Sequence, residues 1–262
     1  MILTRLGNKR KMKKELEQYF PNHKMRIELF FGAGGSYFYL PKPKYAILND
    51  LDDDVFNLYQ IILTRKEEFI NEIKLMPVSE SLVKYWRKNQ ECDPIKKALR
   101  FLLLSNFTYL GKGDTLRIGL ENTKKVILKN IEPTFLWLQD ATITNCDFRE
   151  VIGKINFSEK LLKKEDAFIY LDPIYLGTTH CYKVPKWTVN DTEDCFKIMK
   201  YSGIPSAMSE FDNKEVLELA DKYEMNVIPI KERQNIKKRS TEILITNYFL
   251  DQKSLDLKLQ LK

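Results

Sequence analysis

Ala167–Leu171 is a short apolar run, Ala-Phe-Ile-Tyr-Leu, that follows the charged segment Lys163-Lys164-Glu165-Asp166 and halts at Asp172-Pro173. No other stretch constrains the chain as tightly, because a run this short, stopped by Asp-Pro, reads as a buried strand that ends in an irregular turn. A carboxylate then sits at the carboxyl end of a strand, where open α/β sheets receive their ligands.

The residues Asp172-Pro173-Ile174-Tyr175 suit a grip on the exocyclic amine of a nucleobase. The lone pair of that nitrogen is delocalised into the ring, so it attacks poorly until acceptors hold its hydrogens and favour a pyramidal geometry. Asp172 offers one acceptor. Pro173 cannot donate to a sheet ladder, and its displaced carbonyl can be the second. Tyr175 supplies a ring for stacking, worth about 1–3 kcal/mol per base. Taken alone, the string fits equally a strand that ends in a turn with a packed tyrosine. It resembles the Asp-Pro-Pro-Tyr motif of the Dam-like DNA adenine N6-methyltransferases, with Ile174 in place of the second proline. The carbonyl wanted belongs to the first proline, which is kept, so the departure changes loop stiffness rather than chemistry. The resemblance implies catalytic roles for Asp172, Pro173 and Tyr175, and a place beside the methyl donor for Asp172.

The 262 residues fit one large domain or a domain with an insertion, with enough chain for a substantial core. No run approaches the ~18 apolar residues of a membrane helix, and the basic N-terminus lacks an apolar signal core, so an intracellular, cytoplasmic protein is expected. The net charge of +7 suits a polyanionic partner, and a lysine-rich surface gives the same total. Cys92, Cys146, Cys181 and Cys195 show no paired metal spacing, which predicts reduced thiols. None follows a proline, as the thiolate of the cytosine C5-methyltransferases would. With only His23 and His180 besides, no metal site is expected.

Met25–Phe31 reads as a strand running into Gly32-Ala33-Gly34-Gly35-Ser36, with a helical stretch through Tyr37 to Leu40 after it. Glycines let a backbone approach a ligand closely, and a helix start presents free N–H groups. The string is neither a P-loop nor a full dinucleotide fingerprint, and a tight structural turn is an alternative. From Glu28 to Ser36 it resembles the family's Glu-Pro-Phe-x-Gly-x-Gly-Ser pattern, which binds S-adenosylmethionine. That implies donor-binding roles for Glu28, Phe30, Gly32, Gly34 and Ser36. Lys44–Asn49 reads as the second strand, and Asp50 at its end is placed to accept from ribose hydroxyls. Asp52, Asp53 and Asp54 read as helix-capping acids. Lys9–Phe20 is helical in spacing and stops at Pro21. The segment before it, Arg5 to Lys9, reads either as a frayed basic end or, by similarity to the family's Gly-Gly-Lys opening, as part of the donor site through Arg5 and Lys9.

Residues 64–139 break the strand and helix alternation with three amphipathic pieces and then a hairpin-like segment, Asn106 to Arg117. The resemblance implies a target-recognition insertion here, with Tyr109, Lys112 and Arg117 as candidates for DNA contact. Each is equally an ordinary surface residue. Ala141–Asn145 returns to strand, and Cys146-Asp147-Phe148 is similar to the family's Gly-Asp-Phe, implying that Asp147 and Phe148 flank the donor's adenine. Asp147 could equally cap the next turn. Leu176–Asp191 reads as a mobile loop, in which Tyr182 matches a tyrosine common in the family. Asp191–Lys200 reads as a helix, Ile204–Met208 as a strand and Ser209–Asn213 as a turn into a further helix. Asn226–Ile230 and Glu242–Tyr248 read as strands with a basic, solvated loop between them. The family has a basic hairpin at that place, which makes Lys237, Lys238 and Arg239 candidates for phosphate contact.

These signals occur in the order of the Dam-like class. The resemblance implies an α/β, Rossmann-like, seven-stranded and mostly parallel sheet. Residues 1–63 and 140–262 would form the S-adenosylmethionine-binding catalytic domain, and 64–139 a helical target-recognition insertion. It implies site-specific transfer of methyl from S-adenosylmethionine to N6 of adenine, with double-stranded DNA as partner and a cognate restriction endonuclease as a candidate one. Transfer to cytosine N4, transfer to RNA, and an inactive DNA-binding relative are the alternatives.

Overall fold

The computed structural model describes residues 2–3, 9–119, 122–158, 162–178, 184–235 and 238–249. Its strands are β1 (Met25–Glu28), β2 (Tyr45–Asn49), β3 (Ala141–Thr144), β4 (Ala167–Leu171), β5 (Ser206–Phe211), β6 (Asn226–Asn235) and β7 (Lys238–Thr246). They form one seven-stranded sheet in the order β3-β2-β1-β4-β5-β7-β6. β1 is parallel to β2 and β4, and β4 to β5, whereas β7 runs antiparallel to both β5 and β6. This is the mostly parallel α/β sheet that the motifs imply. All of β4 is buried, as expected of a parallel strand covered on both faces.

The chain divides into two compact units, one of Met1–Lys11, Gly32–Lys42 and Asp52–Asn145, the other of Met12–Phe31, Pro43–Leu51 and Cys146–Lys262. The second unit contains the short α1 (Lys13–Glu17) and its continuation Phe20, whose ring packs on Phe168 and Tyr170 of β4. In the first unit lie α2 (Asp53–Thr64), α3 (Lys66–Leu75), α4 (Glu80–Lys88), α5 (Pro94–Asn106) and α6 (Thr123–Leu138). Three of these helices begin at side-chain caps: Asp52 accepts from Asp54 N–H, Ser79 from Leu82 N–H, and Asp93 from Lys96 N–H. The capping expected of Asp52 is therefore observed. α6 was not foreseen, because Asn122 makes no cap and Pro133 interrupts the helical pattern. The remaining helices, α7 (Phe148–Val151), α8 (Val189–Tyr201) and α9 (Lys214–Lys222), belong to the second unit, where Cys195, Phe196, Met199, Val216 and Ala220 join Ile169, Leu171, Met208 and Ile245 in one core.

Three local expectations give way. Tyr37–Leu40 forms turns instead of a helix: Gly32 and Gly34 both adopt left-handed φ, 52° and 67°, and the buried Tyr37 is tethered through its hydroxyl to Trp137 O at 3.1 Å. Asn106–Arg117 is no hairpin of two strands. It is a loop closed by a single bridge, Thr108↔Leu116, and turned by positive φ at Leu110, Gly111 and Gly113. Finally, the Ser209–Phe211 turn and most of the basic loop after Ile230 are strand, because cross-strand pairing from Ala207↔Thr246 to Phe211↔Glu242 and from Asn226↔Thr246 to Asn235↔Lys238 satisfies their backbone groups whatever their charge. Among the described residues no helix is long and apolar enough to cross a membrane.

Candidate active site

Three adjacent parallel strands bring the predicted acids to one edge of the sheet. Glu28 pairs with Leu48 of β2 and with Tyr170 of β4, so the carboxyl ends of β2, β1 and β4 lie side by side. Glu28 closes β1, Asp50 follows β2 and Asp172 follows β4. β2 and β3 lie to one side of β1, β4 and β5 to the other, so the direction of winding reverses between β1 and β4. A crevice opens at such a switch point in open α/β sheets. Glu28, 1% exposed, and the half-buried Asp172 stand on its two sides.

An aromatic cluster lies at the same edge. Phe30, just beyond β1, has its ring 5.0 Å from that of Phe148 and 5.5 Å from that of Trp187, and Phe148 lies 5.7 Å from Trp187. Asn49 fixes this arrangement from below. Its amide donates to Leu29 O at 3.2 Å and Cys146 O at 3.0 Å, and its oxygen accepts from Cys146 N–H, so the segment leading to Phe148 is laced to the end of β1. Asp147 caps α7 by accepting from Arg149 N–H and also pairs with the Arg149 guanidinium. Arg149 reaches Asp191 and Asp194 as well. Partial burial works to raise both carboxyl pKa values, but hydrogen bonds, from Thr188 and Arg149 to Asp191 and from Lys197 and Arg149 to Asp194, outweigh it and hold them below the ordinary carboxylate range.

The segment after β4 is anchored by the antiparallel part of the sheet. The half-buried Tyr175 donates its hydroxyl to Glu242 Oε1 at 2.8 Å, and its ring meets Phe211 edge-on at 4.7 Å. Leu176 N–H donates to Glu210 Oε1 at 2.6 Å. Both glutamates are fully buried. The hydroxyls of Tyr170, in β4, and Ser209, in β5, share a hydrogen bond of 2.7 Å. Loss of water, then the charges of Asp172 and Glu242, push the phenols of Tyr170 and Tyr175 well above their ordinary value, so both stay protonated and able to donate.

The other predicted residues belong to the first unit or to β7, or fall outside the described residues. Lys9 opens a 3-10 turn and is 2% exposed, and Ser36 is buried. At Gly32 an added Cβ meets nothing within 4 Å, so its left-handed φ, not lack of space, is what asks for glycine. Tyr109, 57% exposed, and Lys112 stand at the surface of the 107–117 loop, while Arg117, also exposed, donates to Asn106 O. Lys238 and Arg239 are in β7, opposite Asn235 and Gln234. Arg5, Tyr182 and Lys237 lie outside the described residues. Among the described residues no group of three or more His, Cys, Asp or Glu could hold a metal ion.

Sequence reading missed Asn49, Trp187, Glu210 and Glu242. The two glutamates carried a usable signal, since each adjoins apolar or small residues, in Ser-Ala-Met-Ser-Glu-Phe and, after the basic start of β7, in Thr-Glu-Ile-Leu-Ile-Thr. A charge in such a place needs a partner.

A model of the family described as D12 class N6 adenine-specific DNA methyltransferase matches residues 6–236. The DNA adenine methylase of Vibrio cholerae serotype O1 is 25% identical over 244 residues, which cover 85% of each chain. The modification methylase StsI of Streptococcus sanguinis is 26% identical over 287 residues, covering 94% of this chain and 42% of that one. Among solved structures, a conserved hypothetical protein of Streptococcus pyogenes aligns over 88% of this chain and 89% of its own, with a TM-score of 0.34 and 12% identity.

Proposed function

The chain belongs to the D12 class of N6 adenine-specific DNA methyltransferases, and from that premise we propose that it transfers a methyl group from S-adenosylmethionine to N6 of adenine within a defined sequence of duplex DNA. The observation that carries this reading is the position of Asp172-Pro173-Ile174-Tyr175, which leaves the central strand β4 beside the switch point, across from Glu28 and next to an aromatic cluster.

The residues at the edge fit the donor. Phe30, Phe148 and Trp187 offer aromatic surface to an adenine, Asp50 an acceptor to ribose hydroxyls, and the neighbouring carboxylates Glu28 and Asp172 a negative field for a cation. By family resemblance Arg5, Lys9, Gly32, Gly34, Ser36 and Asp147 complete the set. S-adenosylmethionine, when bound, supplies an electrophilic methyl on its sulfonium. The chain's own part is to hold the nucleophile. The Asp172 carboxylate and the Pro173 carbonyl accept the two amine hydrogens and localise the nitrogen lone pair, while the Tyr175 ring stacks on the base. Because the amine is unreachable inside a duplex, the base must leave the stack to reach them.

Residues 64–139 are the proposed target-recognition part, with Tyr109, Lys112 and Arg117 touching bases or phosphates, and Lys237, Lys238 and Arg239 adding phosphate contacts. Expression in a host without DNA methylation, followed by mapping of modified bases across the genome, tests the reading. N6-methyladenine confined to one sequence context supports it. A genome that stays unmodified, or carries only N4-methylcytosine, overturns it.

A further inference from the structure

Phe211 and Glu242 are direct partners in the β5 and β7 ladder, so their side chains lie on the same face of the sheet, and both meet Tyr175 there. Glu210 and its partner Ile243 belong to the opposite face, and Glu210 receives the amide of the next residue, Leu176. Asn213, the cap of α9, donates to Leu176 O at 3.4 Å, and Thr178 donates to Tyr175 O through its hydroxyl at 2.6 Å. The loop is thus pinned from both faces of a part of the sheet that supplies no predicted donor or base contact.

We propose that Glu242 is a positioning residue for methyl transfer: by accepting the Tyr175 hydroxyl it fixes the ring against which the target base stacks, while Glu210 holds the amide of the next residue, Leu176. The inference rests on the adenine-methylation reading above. Two physical points argue for it. Burying a carboxylate in a sheet is costly, and an apolar residue would fill the space at lower cost, so the contacts that Glu242 makes, the Tyr175 hydroxyl among them, are what favour a carboxylate there. The residue before Tyr175 is Ile174, whose φ no ring fixes, so bonds from β5 and β7 must hold the loop's shape.

The test uses the full chain with unmethylated bacteriophage DNA and labelled S-adenosylmethionine. It reads three quantities: the single-turnover methylation rate, the donor Kd by calorimetry, and deuterium uptake of the peptide spanning 172–178. Removing a hydrogen bond to a charged acceptor should slow the rate about tenfold in Tyr175→Phe and in Glu242→Leu alike. The double variant should fall no further, since both changes delete one interaction. Donor Kd should stay at the wild-type value, uptake at 172–178 should rise, and Glu242→Gln, which keeps an acceptor oxygen, should recover most of the rate. Additive losses, or a Tyr175→Phe protein with wild-type rate and uptake, overturn the proposal. The latter result decides the matter even if Glu242→Leu does not fold. If the wild type methylates no adenine in that DNA, the functional reading fails and this inference with it. If it does, and the variants match it, only the inference fails.

Discussion

Tyr175 and Tyr109 sit in loops of opposite construction. Tyr175 is half-buried, its hydroxyl bonded to Glu242 and its ring against Phe211, in a loop whose adjacent residues Tyr175 and Leu176 are held by side chains of β5 and β7. Tyr109 is 57% exposed, in a loop held by its own backbone, through the Thr108↔Leu116 bridge and the bond from Gly113 N–H to the Thr108 hydroxyl, and by an exposed ion pair between Asp114 and Arg87, with Leu110 and Lys112 exposed beside it. A group that must meet a reacting atom is worth holding still, and rigid strands do that. A group that must meet a long polyanion is worth presenting to solvent.

The contrast can be broken by substitution. The largest effect is expected at Asp172: replacement by Ala should lower methylation about a thousandfold or more, the scale for losing a preorganised contact at the reacting centre, while donor binding remains measurable by calorimetry. A variant that still methylates duplex DNA normally would refute the assigned chemistry. In the exposed loop, Gly113→Ala should cost about 1–2 kcal/mol in denaturant unfolding, from left-handed strain alone. Its φ is +78°, and the added Cβ meets Leu104 at an ordinary 3.7 Å. An unchanged unfolding midpoint would mean that the loop does not keep this backbone.

Smaller effects sharpen the comparison. Lys112→Ala should weaken DNA binding about three- to tenfold and reduce the salt slope of log K by about 1, with the single-turnover rate at saturating DNA unchanged. A slower chemical step with intact affinity would move Lys112 out of the recognition set. The smallest concerns Arg149. Asp191 and Asp194 are held below the ordinary carboxylate range, so their contribution to stability is present above the unfolded-state pKa of about 3.9 and is lost as pH falls through the depressed folded values. Arg149→Ala should therefore flatten the fall of stability with acid below about pH 4, and should leave the neutral-pH methylation rate near wild type. A curve of unchanged steepness would assign the depression to Thr188 and Lys197 instead.

What the sequence discloses follows how local each cause is. β4 and its Asp-Pro stop were legible because an apolar run and a proline act within a few residues. The Asp52 cap was legible for the same reason. The end of β5 was misread because its backbone partners lie far along the chain, the turns at Tyr37–Leu40 because Tyr37 is tethered to Trp137, and the extent of the hairpin of β6 and β7 because its charged residues hide a pairing that needs only backbone groups. Nor could a single sequence show that Glu242 meets Tyr175, 67 residues away. Only a carboxylate directly before the apolar run Ile243–Ile245 pointed to it.

The central claim is that Asp172 and Pro173 grip the amine of adenine. Its most direct test is nucleoside analysis of unmethylated duplex DNA after incubation with the protein and labelled S-adenosylmethionine. The account predicts label in N6-methyl-2′-deoxyadenosine alone, and none when Asp172 is replaced by Ala. Label in N4-methyl-2′-deoxycytidine, or label in adenine that persists in the Asp172→Ala protein, would contradict it.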